Sequence, residues 1–121
     1  MPGVHHIALR VRDCEASSRF YQQAFDLREA RRIESEGRLR AIWLRAGDVV
    51  LMLEPALRGK GDERGSGHVL IFPTPDLVAA EARFKAMGVE VTDRTAFTLY
   101  VEDPDGHRAG VSILRFDESA S

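Results

Sequence analysis

Hydrophobic and polar positions follow the same order twice along the chain. In each half, a short run in which every second position is apolar leads to an aspartate, and apolar positions then recur three or four residues apart. Alternation is typical of a strand with one buried face, and the wider spacing is typical of a helix. Residues 6–27 and 68–89 carry the two copies at equal length. The pattern therefore predicts a strand and a helix at the start of each half.

The first predicted strand, residues 5–11, has two different faces. Its odd-numbered positions are apolar from Ile7 to Val11, whereas His6 and Arg10 lie on the other face. The apolar face needs a helix packed against it. We expect the face with His6 and Arg10 to line something polar or solvated.

Aspartates mark where both helices begin. Asp13 and Asp76 suit the N-cap position, because an aspartate side chain accepts hydrogen bonds from the first backbone N–H groups of a helix. Gly88 suits the end of the second helix. Strand patterns follow each helix, at residues 30–33, 38–44 and 49–53 and again at 90–92, 97–102 and 108–114.

Each half is thus predicted to fold as β-α-β-β-β, and the predicted fold class is α+β. Two such modules, residues 1–54 and 67–116, are joined by a polar, glycine-rich linker at 55–66 and followed by a tail at 117–121, within a single domain. Side by side, the modules make a curved mixed sheet with helices outside and a polar concave face inside. A homodimer that completes the cavities is expected.

Composition narrows the classes of partner. The chain has 17 Lys and Arg residues against 19 Asp and Glu residues, which gives a net charge of −2. It therefore lacks the excess of positive charge that is typical of nucleic-acid-binding domains. No apolar run has the length of a membrane span. The single cysteine, Cys14, excludes an intramolecular disulfide and favours a cytoplasmic location. Arg28, Arg31 and Arg32 form a cluster that is typical of a solvated face, with an anion-binding site as the alternative.

A strong turn signal near the C-terminus is followed by an unexpected glycine. Asp103-Pro104-Asp105-Gly106 predicts a tight turn, because proline fixes φ while aspartate and glycine tolerate the left-handed conformation. His107 is expected to be a solvated turn residue. Gly110 lies inside the strand that follows, where glycine weakens the strand and packs nothing.

These segments resemble the vicinal oxygen chelate superfamily, which includes glyoxalase I, bleomycin-resistance proteins, extradiol dioxygenases and fosfomycin-resistance transferases. The resemblance covers nearly the whole chain and is carried by HHIALRVRD with FYQQAFDL, GHVLIFPTPDL with FKAMGVEV, and FTLYVEDPDGHR. It implies the glyoxalase/bleomycin-resistance/dioxygenase fold. It implies less about a reaction, because the superfamily contains isomerases, dioxygenases, transferases and metal-free binding proteins.

The resemblance also implies a metal site. Metal-using members place histidines at the positions of His6 and His68 and a glutamate at position 110, which is Gly110 here. The third ligand is therefore absent, and Glu54, or less favourably Glu102, is the candidate to replace it. The expected cofactor is a divalent metal (Mn, Fe, Ni or Zn) or none.

Five residues are expected to contact a small-molecule ligand: Arg10, Trp43, Met52, Tyr100 and Gly110. Arg10 is a cation on the concave face and needs an acidic partner or an anionic ligand. Tyr100 resembles a pocket tyrosine of the fosfomycin-resistance proteins. Trp43 and Met52 suit either an apolar ligand cup or a dimer core. The missing side chain at Gly110 enlarges the cup.

Three functions follow from this pattern. The leading one is a small-molecule binding or sequestering protein of the bleomycin-resistance type with an incomplete metal site. The alternative is a divalent-metal-dependent lyase, isomerase or dioxygenase that uses His6, His68 and Glu54. The third is a structural or regulatory dimer without a small ligand. The sequence assigns no catalytic residue.

Overall fold

The helices and strands occur in two matching groups. The computed structural model describes residues 3–56 and 68–115. In chain order the first group is β1 (His6–Arg10), α1 (Cys14–Phe25), β2 (Arg28–Ser35), β3 (Arg38–Ala46) and β4 (Val49–Glu54). The second group is β5 (Leu70–Pro73), α2 (Leu77–Met87), β6 (Asp93–Arg94), β7 (Thr98–Glu102) and β8 (Arg108–Ser112). The predicted β-α-β-β-β order is confirmed in both halves.

Each group forms its own four-stranded mixed sheet. The strand order is β1-β4-β3-β2 in the first sheet and β5-β8-β7-β6 in the second. The first strand of each group runs parallel to the last, and the other neighbours are antiparallel. The predicted α+β class is therefore confirmed. Within the described part of one chain, strand pairing stays inside each module.

Side-chain and backbone caps define the helix ends. Asp13 caps α1 as predicted, and its side chain accepts a hydrogen bond from the Ala16 N–H at 3.1 Å. Asp76 caps α2 in the same way. The second helix ends at Gly88, whose φ of 75° suits glycine. The first ends at Asp26 with φ 60°, and aspartate is one of the few other residue types that adopt this conformation.

One strand lies later than predicted. β6 is Asp93–Arg94, so the expectation of a strand at residues 90–92 is wrong. The Val89 N–H still donates to the Phe84 carbonyl at the end of α2, at 2.8 Å. The first backbone hydrogen bond to β7 is therefore the one from the Thr92 N–H to the Tyr100 carbonyl, and strand pairing begins at Asp93.

A hydrophobic core joins the two modules. Phe25 at the end of α1 stacks on Phe72 of β5, with ring centroids 4.3 Å apart. Phe84 of α2 is fully buried and meets the edge of Phe25 at 6.1 Å. The apolar faces of both sheets thus pack against helices that also touch each other.

The β7–β8 turn fastens the second module to the first. Asp103 accepts a hydrogen bond from the Tyr21 hydroxyl of α1 at 2.8 Å. Asp105 accepts one from the Arg12 backbone N–H and another from Arg12 Nε, both at 3.0 Å. Both aspartates are buried. The predicted tight turn therefore also connects the modules.

His107 belongs to the same contact. It is only 8% exposed, and its Nε2 lies 2.7 Å from the Arg10 carbonyl oxygen. The prediction that His107 is solvated is wrong, because the turn packs against the end of β1 rather than projecting into water.

The segment boundaries are only partly visible. The predicted linker at 55–66, after its first two residues, and the predicted tail at 117–121 lie outside the described residues. The module boundaries therefore stay a prediction. Neither helix in the described part of the chain has the length and apolar character of a membrane span.

Candidate functional site

Rows of paired residues cross the first sheet on the face opposite α1. Directly paired residues of neighbouring strands point to the same face. Three rows run across β1, β4, β3 and β2 in that order. The first row is His6, Val50, Arg45 and Arg28, and the second is Ala8, Met52, Trp43 and Arg31. The third row pairs Arg10 of β1 with Glu54 of β4. Alternate positions such as Leu9 and Leu53 are buried on the α1 side. We call the surface that carries these rows the cavity face of the first module.

His6 lies at the exposed start of β1. Its Nδ1 is 2.9 Å from Nδ1 of His5, and the two rings meet edge to face at 5.1 Å. One of the two imidazoles must donate to the other for this contact to be a hydrogen bond. A metal ion or ligand at His6 would therefore bind through Nε2.

Glu54 and His6 lie at opposite ends of the cavity face. His6 is paired with Val50, and Glu54 follows four residues later on β4, where it is paired with Arg10. Four residues of strand span about 13 Å. This spacing does not favour Glu54 and His6 as ligands of one metal ion. The register of β1 and β4 does place Arg10 beside Glu54, which supplies the acidic partner expected for this cation.

Trp43 occupies the middle of the cavity face, paired with Met52 on one side and Arg31 on the other. The Arg31 guanidinium lies 5.5 Å from the centre of the indole, which is a cation–π distance. Trp43 Nε1 is buried and has no hydrogen-bond acceptor in the described part of the chain. Such a donor lowers stability until an acceptor reaches it.

Tyr100 and Gly110 share a row on the second sheet. Gly110 is paired with Tyr100 of β7 and with Ile71 of β5. The Arg108 guanidinium lies 6.0 Å from the centre of the half-buried Tyr100 ring. Ile71 is 40% exposed, so the cavity face of the second module is open in one chain.

No side chain fits at position 110 with this backbone. A Cβ there would collide with the Leu99 carbonyl oxygen of β7 and would stand 3.1 Å from Ile71 Cδ1. Close approach of another backbone is one physical reason for a glycine inside a strand. Gly110 thus allows β7 and β8 to pack closely, in addition to lacking a carboxylate.

His68 lies just before β5 and is exposed. Among residues 3–56 and 68–115, no three His, Cys, Asp or Glu side chains are grouped so that they could hold a metal ion. The donors of one chain in this range do not fit a complete divalent-metal site. The assignment of His6, His68 and Glu54 as metal ligands stays a prediction.

The sequence did not indicate a cleft of about 660 Å³ between the two modules. Apolar side chains of both modules line it, including Ile7, Leu51, Phe72 and Val111, and Arg45 lies at its border. The apolar character of these residues was visible in the sequence. What the sequence could not show is that the two modules leave part of this surface uncovered.

Cys14 has the environment of a structural residue. Its thiol is buried and donates to the Leu53 carbonyl at 3.4 Å. Burial, and then the charges of Asp13 and Glu15, raise the pKa of this thiol. The thiolate needed for nucleophilic chemistry is therefore disfavoured.

Comparison with known proteins identifies relatives across almost the whole chain. Residues 3–111 match the model of the Glyoxalase/Bleomycin resistance protein/Dioxygenase superfamily. A lactoylglutathione lyase of Pseudomonas aeruginosa is 30% identical over an alignment that covers 85% of this chain and 77% of that protein.

Solved structures share the same architecture. Fosfomycin resistance protein FosX of Mesorhizobium loti superposes with a TM-score of 0.78 at 21% identity, covering 99% of this chain and 98% of that one. TnmS3, an antibiotic binding protein from Streptomyces sp. CB03234, superposes with a TM-score of 0.70 at 22% identity, covering 93% and 95%. At these identities the likeness concerns the fold.

Proposed function

Because the chain belongs to the Glyoxalase/Bleomycin resistance protein/Dioxygenase superfamily, we propose that it is a small-molecule binding or sequestering protein of the bleomycin-resistance type, with an incomplete metal site. The observation that carries this proposal is Gly110. The resemblance expects a metal-binding carboxylate at this position, and the backbone of β7 leaves no room for a side chain there.

The two cavity faces supply the ligand contacts in this proposal. Trp43 and Met52 offer adjacent aromatic and thioether surface, which adapts to irregular ligands. Arg10 and Tyr100 add polar groups. The expectation that Gly110 enlarges the cup is wrong, because the Leu99 carbonyl of β7 and Ile71 occupy the place of a side chain there. The antibiotic binding protein TnmS3, which has the same fold, supports a binding role.

A homodimer completes the site in this proposal. His6 and Ile71 remain exposed on the two cavity faces, and neither sheet of one chain covers the other with paired strands. Pairing with a second copy would enclose these faces.

The single domain spans residues 1–121 in this proposal. The one buried, free cysteine is in keeping with a cytoplasmic protein.

A thermal-shift screen of the full chain tests the binding role. Aromatic and peptide natural products are added in the presence of EDTA, and a ligand at a hundred times its Kd stabilises the fold by about 2.7 kcal/mol. We expect a shift that Tyr100→Ala weakens and Val78→Ala preserves, since Val78 is 78% exposed on α2, away from the cavity faces. If no compound raises the melting temperature, the structural or regulatory dimer without a ligand replaces this proposal.

A metal-dependent lyase, isomerase or dioxygenase is the second candidate. The 30% identity to a lactoylglutathione lyase favours it. Its expected ligands are His6 and His68 with Glu54 as the substitute carboxylate, and the spacing of about 13 Å between His6 and Glu54 along the sheet is the observation against this set. A divalent ion held by these residues would polarise substrate oxygens. Here the chain's own contribution would be to place the two imidazoles and to orient the substrate with Arg10.

Metal analysis of protein purified without chelators distinguishes the two candidates. The binding-protein proposal expects Mn, Fe, Ni and Zn well below one ion per chain. Near-stoichiometric metal that is lost in the His6→Ala/His68→Ala double variant would establish the metal-dependent candidate instead.

A further inference from the structure

The arginine cluster near the start of β2 is divided between two faces of the sheet. The pairing of β2 with β3 shifts by one residue between Glu29 and Arg31. Arg32 then lies on the α1 side, where it contacts Glu15 at 2.5 Å and Glu29 at 2.9 Å. Arg28 and Arg31 lie on the cavity face. One arginine of the cluster is therefore neutralised by carboxylates, and the other two are directed to the candidate site.

Arg28 is directly opposite Arg45 of β3 on the cavity face. Like charges in direct cross-strand pairs destabilise a sheet. No carboxylate in the described part of the chain forms an ion pair with either arginine. Val50 and His6 continue the same row on the next two strands. The row is thus cationic at the end formed by Arg28 and Arg45.

Trp43 adds a hydrogen-bond donor next to this pair. It lies two residues from Arg45 on the same strand face, which places the two side chains about 7 Å apart. Its buried Nε1–H lacks an acceptor in the described residues, and Arg31 lies over its ring. Arg28 and Arg45, which have no carboxylate partner in the described residues, therefore lie on the same sheet face as Trp43, whose indole N–H has no acceptor there.

We propose that Arg28 and Arg45, with the indole N–H of Trp43, bind an oxyanion group, a carboxylate or a phosphate, of the protein's small-molecule ligand. The inference rests on the proposed binding function and adds the chemical class of the ligand. Guanidinium groups hold carboxylates and phosphates through paired N–H···O bonds. Trp43 and Met52 form the neighbouring row on the same face, so an anion held here can carry an apolar part that packs on them.

Trp43 fluorescence gives a direct readout, because it is the single tryptophan of the chain. The full-length protein is titrated at constant ionic strength with benzoate, phenyl phosphate, inorganic phosphate and the neutral benzyl alcohol. We expect saturable changes with benzoate or phenyl phosphate that exceed the change with benzyl alcohol. A response to inorganic phosphate as strong as that to phenyl phosphate would identify free phosphate, rather than a ligand-borne group, as the anion.

Matched variants test the assignment of residues. Arg28→Gln and Arg45→Gln should each weaken binding of the responding anion about tenfold, since each removes one charged hydrogen-bonding partner. Arg19→Gln removes the same charge from the exposed side of α1 and should leave the affinity unchanged. Circular dichroism of each variant shows whether the fold is retained.

Two results would overturn the inference. One is an absence of any saturable response to the three anions at millimolar concentration. The other is an equal loss of affinity in Arg19→Gln and in the two cavity-face variants, which would mean nonspecific attraction to positive charge. Binding of benzyl alcohol, or of a neutral compound from the thermal-shift screen, would in either case leave the proposed binding function standing and reject only the oxyanion site.

Discussion

At the scale of single residues, Gly110 has two separate consequences. In chemical terms it removes the carboxylate that the resemblance places at this position. In packing terms it allows the β7 backbone to approach, because a Cβ would collide with the Leu99 carbonyl oxygen. The second consequence means that restoring a side chain would move β7. A gain of metal affinity in Gly110→Glu would therefore require a rearranged strand pair.

Gly110→Ala should destabilise the protein by about 1–3 kcal/mol, because an extra methyl group in a filled position forces a backbone shift. Urea unfolding measures the difference. Gly3→Ala is the matched control, since its Cβ would meet no atom within 4 Å. Equal stability of the two variants would show that β7 and β8 are not as close as described.

At the scale of elements, the β7–β8 turn is the most heavily bonded connection between the modules. The Asp103 carboxylate accepts the Tyr21 hydroxyl and the backbone N–H groups of Asp105 and His107. Burial raises the pKa of Asp103, whereas the hydrogen bonds from Tyr21 and the backbone lower it. The effect of burial is the larger, so the pKa of Asp103 is raised overall. Burial also raises the pKa of Tyr21 well above its usual range.

This raised pKa predicts a pH dependence of stability. Between the unfolded value of about 3.9 and the raised folded value, the folded state holds more protons than the unfolded state. The contribution of Asp103 is therefore present below this window and is lost as pH rises through the folded pKa. The test compares the free energies of unfolding of wild type and Asp103→Asn. The wild-type value minus the variant value should fall as pH rises through the window and should be constant at higher pH.

Tyr21→Phe provides the complementary measurement. It removes a hydrogen bond that lowers the Asp103 pKa, so the window should extend to higher pH. The loss of the bond should also cost about 1 kcal/mol. A wild-type-minus-Asp103→Asn difference that is flat from pH 3 to 7 would contradict the burial of this carboxylate.

The elements differ in how far the sequence predicted them. Asp13, Asp76 and Gly88 are local signals, and each caps the helix end that it was expected to cap. The position of β6 depends on where the segment after α2 begins to pair with β7. The burial of His107 depends on a contact with Arg10 of β1, which is distant in sequence. Local patterns carry no information on such contacts. The burial state of a turn residue is therefore visible only once the modules are packed together.

At the scale of the whole molecule, the internal repeat was enough to predict two equivalent modules. Strand alternation placed His6 and Arg10 on one face of β1. The pairing of β1 with β4 and of β4 with β3 places Met52, Glu54 and Trp43 on that face as well. The repeat did not reveal the separation of His6 and Glu54 along that face, which depends on the parallel register of β1 and β4. The apolar cleft between the modules depends on their relative position.

The open cavity faces predict a dimer. Light scattering coupled to size-exclusion chromatography should give a mass twice the 13.5 kDa of one chain. A homodimer would cover exposed side chains such as Ile71 and would give the cavity faces a second wall. A single-chain mass at all concentrations up to about 100 µM would contradict this expectation, because it implies a Kd above about 100 µM, or an association free energy weaker than about −5.5 kcal/mol.

The most direct test of the binding function is the fate of a ligand in the absence of metal. A compound that stabilises the full chain is incubated with the protein in EDTA, separated, and analysed by mass spectrometry, with a parallel sample that contains added Mn, Fe, Ni or Zn. For a binding protein, EDTA leaves the affinity unchanged, and the compound is recovered from both samples with its mass and its retention on a chiral column unchanged. A compound that is bound or chemically converted only when metal is added would contradict the binding function.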